Sequence, residues 1–381
     1  MTSFSDLGLS PALLKALENQ GYQKPYPIQE QVIPAIIKRK DVLGIAQTGS
    51  GKTAGYVLPV LMNLKGKTNT KIRHINVLVL VPTRELAIQV EKVFSYFGAV
   101  MPFDFKSLAV HGGVSINPQM MALPKVNVLV ATPGRLIELA ESNAVQFSAL
   151  STLILDEADK MLNLGFKAEM DQILSLLPSR RQNLLFSATL SPEIQNLERV
   201  LLTEPVVVQI VPPEDNVDLI NQTGYFVKDE KKGPLLRYLI KKQEMNQVLV
   251  FTSSVYQADL VAEKLQKNGI NAAAIHSKKS QGARTDALAA FKSGNLTVLV
   301  ATDLLSRGID IEFLPFVINY ELPRSPKDFI HRIGRTGRAE RPGKAITFVT
   351  EEDKHHFKVI QKKMKKIVTM IDSENLDLKG F

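Results

Sequence analysis

The feature that most constrains the fold is a set of short apolar runs that are continuous rather than alternating. Val42–Ala46, Val77–Val81, Ser107–Val110, Val126–Ala131, Thr152–Leu155 and Asn183–Ser187 are such runs in the first half of the chain. A strand with one wetted face alternates apolar and polar residues, whereas a strand covered on both faces does not. Helical stretches, such as Glu85–Gly98 and Gly134–Glu141, separate the runs. This βα alternation predicts an α/β fold: a parallel, doubly wound sheet flanked by helices, with chemistry at the carboxyl ends of the strands.

The pattern lapses near Val211-Pro212-Pro213-Glu214-Asp215-Asn216, where two prolines among polar residues predict a linker over 210–217. A second series follows: Gln247–Phe251, Ala272–Ile275, Thr297–Ala301, Phe316–Asn319 and Ala345–Val349. The 381 residues therefore divide into two expected domains, 1–209 and 218–370, with a short tail over 371–381. Lys354 to Ile367 carries six lysines and no acid and predicts one amphipathic helix. Either it packs through Phe357, Ile360 and Met364 and merely solvates its lysines, or it touches RNA.

Composition removes whole classes of chemistry. No cysteine is present, so disulfides, thiolate metal sites and cysteine nucleophiles are excluded. The six histidines show no zinc-ligand spacing. A net charge of +9 favours a polyanionic partner, and no segment approaches the roughly 20 apolar residues of a spanning helix, so nucleic acid is preferred over membrane. Met1 to Ser10 lacks a basic start followed by an apolar core, which makes the expected location cytoplasmic.

Chemistry-bearing segments sit where the strands end. Gly49-Ser50-Gly51-Lys52-Thr53 follows the first run. Its glycines let backbone N–H groups approach phosphate oxygens, Lys52 neutralises the outer phosphates, and the Thr53 hydroxyl can ligate Mg²⁺. The bland alternative is a glycine-rich strand–helix turn. Asp156-Glu157-Ala158-Asp159 follows Leu153-Ile154-Leu155. Asp156 is placed to hold the Mg²⁺ shell and Glu157 to orient and deprotonate water, although acids also decorate ordinary helix starts. In the second half, His331-Arg332-Ile333-Gly334-Arg335-Thr336-Gly337-Arg338 reads equally as an RNA-phosphate patch or as fingers on a γ-phosphate. For the second reading, Arg335 and Arg338, three apart, are expected on one helical face.

With these segments in this order, the chain resembles the DEAD-box ATP-dependent RNA helicases of superfamily 2 from Phe4 to about Val349. The resemblance implies tandem RecA-like domains, ATP and Mg²⁺ as cofactors, and RNA-stimulated hydrolysis coupled to local, non-processive remodelling of RNA. Phe4 and Gly21-Tyr22-Gln23-Lys24-Pro25-Tyr26-Pro27-Ile28-Gln29 resemble the family's adenine-reading motif. There Gln29 is expected to bond the adenine edge while Tyr22 packs on the ring; Tyr26 stands where threonine is usual. The phosphate loop runs Ala46-Gln47-Thr48-Gly49-Ser50-Gly51-Lys52-Thr53. Asp159, Ser187-Ala188-Thr189 and His331 are implied to couple hydrolysis to strand separation, the hydroxyls bonding the carboxylate cluster. Asp310 is implied at the ATP ribose, and Arg335 and Arg338 become γ-phosphate fingers.

The RNA-facing motifs are matched by Pro82-Thr83-Arg84-Glu85-Leu86, Gly112-Gly113 and Thr132-Pro133-Gly134-Arg135 in the first half. Thr252 and Ser253, Gln281 with Arg284, and Thr302 match in the second. Hydroxyls, glycine N–H groups and helix amino ends suit backbone contacts that carry no sequence information, so a single strand or short duplex of any sequence is the expected partner. Segments 112–121 and 279–285 resemble the bacterial RhlE-type branch, whose members often carry a basic tail; the chain stops at Phe381 without one. A monomer is expected, with ribosome assembly, RNA decay and cold adaptation open as settings and their proteins as possible partners. A DNA-directed helicase and a non-catalytic RNA clamp or scaffold are the competing functions.

Overall fold

The computed structural model describes residues 2–47, 49–64, 74–210, 220–303, 314–336 and 343–381. The chain forms two compact units, Met1–Pro212 and Pro213–Phe381. In the first, strands β1 (Val42–Ile45), β2 (Val77–Leu80), β3 (Ser107–Val110), β4 (Val128–Ala131), β5 (Thr152–Leu155), β6 (Gln182–Ser187) and β7 (Val206–Gln209) make one sheet in the order β3-β4-β2-β5-β6-β1-β7. Every pairing is parallel, with Val42 opposite Leu184 and Val77 opposite Thr152. All the carboxyl ends therefore share one edge.

The sheet is buried on both faces. Val77 and Val79 point into one apolar cluster, while Leu78 and Leu80 point into another. Its flanking helices are α1 (Pro11–Asn19), α2 (Pro27–Ile37), α3 (Lys52–Asn63), α4 (Arg84–Gly98), α5 (Ile116–Ala122), α6 (Pro133–Glu141), α7 (Ala158–Asn163), α8 (Lys167–Leu176) and α9 (Pro192–Leu201). Their starts are encoded locally. Proline opens α1, α2, α6 and α9, where its missing N–H costs nothing, and the Thr83 and Ser191 hydroxyls cap α4 and α9.

The second unit repeats the plan. Strands β8 (Ile220–Phe226), β9 (Val248–Thr252), β10 (Ala272–Ile275), β11 (Val298–Thr302), β12 (Phe316–Asn319), β13 (Gly343–Val349) and β14 (Thr369–Asp372) follow the order β10-β11-β9-β12-β13-β8-β14, again parallel. The described helices are α10 (Lys232–Lys242), α11 (Val255–Lys267), α12 (Gln281–Lys292), α13 (Pro326–Ile333) and α14 (Lys354–Met364). Ser254 and Ser280 cap α11 and α12.

Three strands lie outside the predicted runs. β7 and β14 are half-exposed edge strands, and β8 reads INQTGYF with alternating burial. The lysine-rich helix stops at Met364 rather than Ile367, because Lys365 turns left-handed at φ 55°. The Val368 N–H then donates to Gln361 Oε1 at 2.8 Å as the chain enters β14.

Candidate active site

The shared edge of the first sheet gathers every predicted segment of that half. β1 delivers the phosphate loop and α3 starts at Lys52. Gly51, the residue before the helix, has φ 86°, and a Cβ there would stand 2.5 Å from the Gln29 amide nitrogen. Glycine is therefore required by conformation and by space. The buried Gln29 donates from Nε2 to the Gly51 carbonyl at 3.0 Å and accepts the Tyr26 N–H at Oε1 at 2.9 Å. It ties the start of α2 to the phosphate loop, so contact with a base would use its second amide hydrogen and lone pair. Position 26 enters this bond through its backbone, which is why tyrosine is accommodated there. Tyr22 packs edge-on against the buried Phe4 at 6.2 Å and against Phe97 at 6.4 Å.

Lys52 is buried, its ammonium donating to the Ala46 carbonyl at 2.6 Å and the Gln47 carbonyl at 2.8 Å. Burial lowers its pKa, opposed by the charges of Asp156, Glu157 and Asp159. The Ala46 N–H bonds the Ser187 carbonyl, and Ser50 Oγ bonds the Gln47 carbonyl, which holds the loop between β1 and β6.

β5 ends at Leu155, and Asp156 follows with both carboxylate oxygens engaged. Oδ2 accepts the Tyr56 hydroxyl at 2.8 Å and Oδ1 accepts the Glu157 N–H at 2.9 Å. Tyr56 also shares a hydrogen bond with the Thr53 hydroxyl, and burial raises its pKa well above the ordinary value. Sequence reasoning missed Tyr56, although Lys52 and Tyr56, four apart on α3, share a helix face. Glu157 sits at φ 53°, ψ 45°, a left-handed conformation uncommon for a residue with a Cβ. Its Oε1 accepts Lys160 Nζ at 2.6 Å, while Oε2 is buried with no hydrogen-bond partner among the described residues. Burial raises the pKa of both Asp156 and Glu157; Lys52 chiefly opposes it at Asp156 and Lys160 at Glu157.

The sequence led us to expect that the hydroxyls of Ser187 and Thr189 bond the carboxylates, but only that of Thr189 does so. Thr189 Oγ1 donates to Asp159 Oδ2 at 3.3 Å, but Ser187 Oγ turns to the Thr189 carbonyl at 2.8 Å. Ser187 is fully buried at the end of β6, and its nearest acceptor is its own turn.

The neighbouring strand ends carry the segments expected to face RNA. Pro82 is buried, the Thr83 hydroxyl caps α4 at Leu86, and Arg84 lies over Gly113, where φ is 78° and a Cβ would overlap the guanidinium. Gly112 is half-exposed, Thr132 and Pro133 are buried, and Gly134 is exposed. Arg135 is not presented to solvent. It is 6% exposed, bonded to Glu138 Oε2 and to the Val114 carbonyl, both at 2.8 Å. A glutamate three residues on and a facing loop carbonyl draw the guanidinium inward.

In the second unit the corresponding edge carries Ser253, whose N–H and hydroxyl both donate to Glu321 Oε2 at 2.7 Å. A carboxylate, Glu321, thus occupies both donors. Thr252 is corrected: it is fully buried, and its hydroxyl donates to the Ser254 carbonyl at 3.3 Å. Arg284 is buried against Gln281 Oε1 at 3.3 Å, and Thr302 is half-buried at the end of β11.

Arg332 takes a structural role. It pairs with Asp303 through two nitrogens at 2.5 and 2.8 Å, donates to the Glu321 carbonyl at 2.6 Å, and covers the Phe251 ring. The expected helical face through Arg335 does not form. α13 ends at Ile333 with Gly334 as its cap, and the Arg335 carbonyl accepts the Leu314 N–H while Thr336 bridges to Leu314. Arg335 is buried and His331 half-buried. Thr48, Asp310 and Arg338 lie outside the described residues, as does nearly all of 210–217.

Among the described residues no helix is long and apolar enough to cross a membrane. A profile for DEAD/DEAH box helicases matches residues 26–197, and one for the helicase conserved C-terminal domain matches residues 230–340. The chain is 39% identical over 378 residues to the DEAD-box ATP-dependent RNA helicase CshA of Geobacillus kaustophilus, covering 99% of this chain and 80% of that protein. CshA of Bacillus subtilis is 38% identical, with 98% of this chain and 75% of the relative covered. Among solved structures, Saccharomyces cerevisiae Dbp5 bound to RNA and ADP BeF3 superimposes with a TM-score of 0.85 at 28% identity, covering 98% of this chain and 97% of that one. Both sheets, the strand-end chemistry and these likenesses agree: the chain belongs to the DEAD-box ATP-dependent RNA helicases.

Proposed function

We propose that the region 1–209 binds and hydrolyses ATP, that 218–370 completes the RNA groove and supplies arginines to the γ-phosphate, and that hydrolysis drives local, non-processive remodelling of RNA. One observation carries the catalytic reading: among the described residues Glu157 Oε2 is buried and unpartnered beside Asp156 and Lys52 at one strand edge. A water bonded to Oε2 would give its proton to Glu157 as it attacks the γ-phosphorus. The bond to the β-phosphate oxygen then breaks, and ADP leaves with that electron pair. Lys52 would exchange the Ala46 and Gln47 carbonyls for phosphate oxygens. Arg335 and Arg338 would neutralise charge as it develops.

Among the described residues no three acidic or histidine side chains gather as a metal cage. Mg²⁺ needs none, because it binds through one or two carboxylates, waters and substrate phosphates. Asp156 and Thr53, joined through Tyr56, fit that requirement, and the bound ion would neutralise phosphate charge. The Thr189–Asp159 bond supports a coupling role for Asp159. Loop spellings at 112–121 and 279–285 support an RhlE-like branch. The same reading makes the protein a cytoplasmic monomer that can serve ribosome assembly or RNA decay.

The test is ATPase activity with and without RNA, for the natural chain and for Glu157→Gln. RNA should stimulate the natural chain, and the variant should lose turnover by on the order of 10²–10⁴-fold while still binding ATP and RNA. Equal stimulation by DNA would favour a DNA-directed enzyme. RNA binding without turnover in the natural chain would favour a clamp.

A further inference from the structure

The outward face of α14 is basic apart from the exposed Val359. Phe357, Ile360 and Met364 are buried beneath it, while His355, Lys358, Lys362 and Lys363 are exposed on the opposite side. Lys354 pairs with Glu351 at the amino end at 2.6 Å, and no acid occurs from there to Ile367. Lysines four apart repel one another along a helix. The helix dipole offsets this only in the last turn, where Lys362 and Lys363 lie. Position matters as much as charge. His356 Nε2 meets the Pro323 carbonyl at 2.8 Å, which anchors the amino end of α14 to the loop after β12. That loop also carries Glu321, the partner of Ser253. The helix therefore runs for about 16 Å, at 1.5 Å per residue, away from the strand edge expected to hold RNA, and its exposed lysines from Lys358 to Lys363 cover about 8 Å of that length.

We propose that this face is a second RNA-backbone site, which holds the phosphates of a duplex flanking the strand bound at the sheet edges. The proposal rests on the RNA-helicase reading. Charge complementarity selects the occupant: a row of flexible ammonium groups takes phosphates as point charges and reads no bases. Such a site would increase affinity for structured RNA and leave the stimulation of hydrolysis by a short single strand unchanged.

The experiment uses the full chain, the triple variant Lys358→Gln, Lys362→Gln, Lys363→Gln, and the matching triple arginine variant. Each is titrated with a short single-stranded RNA and with the same strand extended by a hairpin, from low to moderate salt. For the extended RNA the glutamine variant should lose at least about tenfold in affinity, and its slope of log affinity against log salt should flatten by about 2 to 3. The arginine variant should behave as the natural chain, and short-strand binding and stimulated ATPase should be unchanged in all three. An unchanged slope would overturn the proposal, because the lysines would then be merely solvated. Equal weakening for both RNAs would also overturn it, by placing the lysines in the main groove. So would vesicles of phosphatidylglycerol that bind the natural chain but not the glutamine variant, with RNA affinity unaltered. A natural chain whose ATPase ignores both RNAs would instead sink the helicase reading, while the binding slopes still report on the lysine face.

Discussion

Glu157 occupies a backbone conformation that costs on the order of 1–3 kcal/mol for a residue with a Cβ, and the surroundings fix it. Its N–H is taken by Asp156, its carbonyl by the N–H groups of Lys160 and Met161, and one carboxylate oxygen by the Lys160 ammonium. That leaves Oε2 without a partner among the described residues, the oxygen a reactant would meet if Glu157 is the proposed base. Lys160 is thus a positioning residue: it aims Glu157 and supplies countercharge where burial opposes the carboxylate. Lys160→Met should lower kcat by about 10- to 100-fold with a smaller change in the KM for ATP. Lys160→Arg should restore most of the loss, since only charge and reach are needed. Steady-state kinetics of both variants checks this, and a rise in KM at unchanged kcat would make Lys160 a ground-state binding residue instead. The place of Asp156 and Glu157 at a strand end was legible from the apolar run before them. Their partners were not, because neither a buried tyrosine a hundred residues away nor the choice of oxygen by a lysine leaves a local pattern.

At the scale of elements, Asp41 does more than precede β1. Its buried carboxylate accepts the Asn183 N–H at 2.8 Å and the Thr203 N–H at 2.9 Å, joining the start of β6 to the approach of β7. Asp41→Ala leaves those donors without their charged acceptor and should cost about 2–3 kcal/mol locally. Native-state hydrogen exchange reads the effect: amides of β1, β6 and β7 should lose protection while those of β8 to β14 keep it. Uniform loss across both units would deny that the effect is local. Most of the strands that sequence revealed are covered on both faces and read as continuous apolar runs, and the half-buried edge strands β3 and β10 were legible too. β8 stayed hidden because Asn221 and Gln222 interrupt its apolar pattern, and β14 because its four residues, Thr369 to Asp372, are half apolar and half polar; β7 carries an apolar run, Val206 to Val208, that the predicted runs omit. The same limit explains Arg335. Spacing alone suggested a helix face, but Gly334 ends the helix and the bridge from Thr336 to Leu314 redirects the chain.

For the whole molecule, the decisive quantity is a coupling between ligands. The phosphate loop and Glu157 lie in one unit and Arg335 in the other, and each unit gathers its strand ends along one edge. If hydrolysis needs contributions from both, then ATP and RNA each favour the arrangement the other requires. Linkage then demands one coupling factor, roughly 5- to 150-fold, whichever ligand is added first. Glu157→Gln allows the measurement, because turnover no longer consumes ATP during titration. RNA affinity should rise on adding ATP by the same factor as ATP affinity rises on adding RNA. Arg335→Ala should reduce that shared factor, or lower kcat without touching it if the arginine acts only in the transition state. The separated fragments 1–212 and 213–381 should each keep their fold but lose the coupling, since no covalent connection then holds the second site at high effective concentration. A factor of one in the intact chain, with both ligands bound, would mean that the two units act independently and that RNA does not control when Glu157 works.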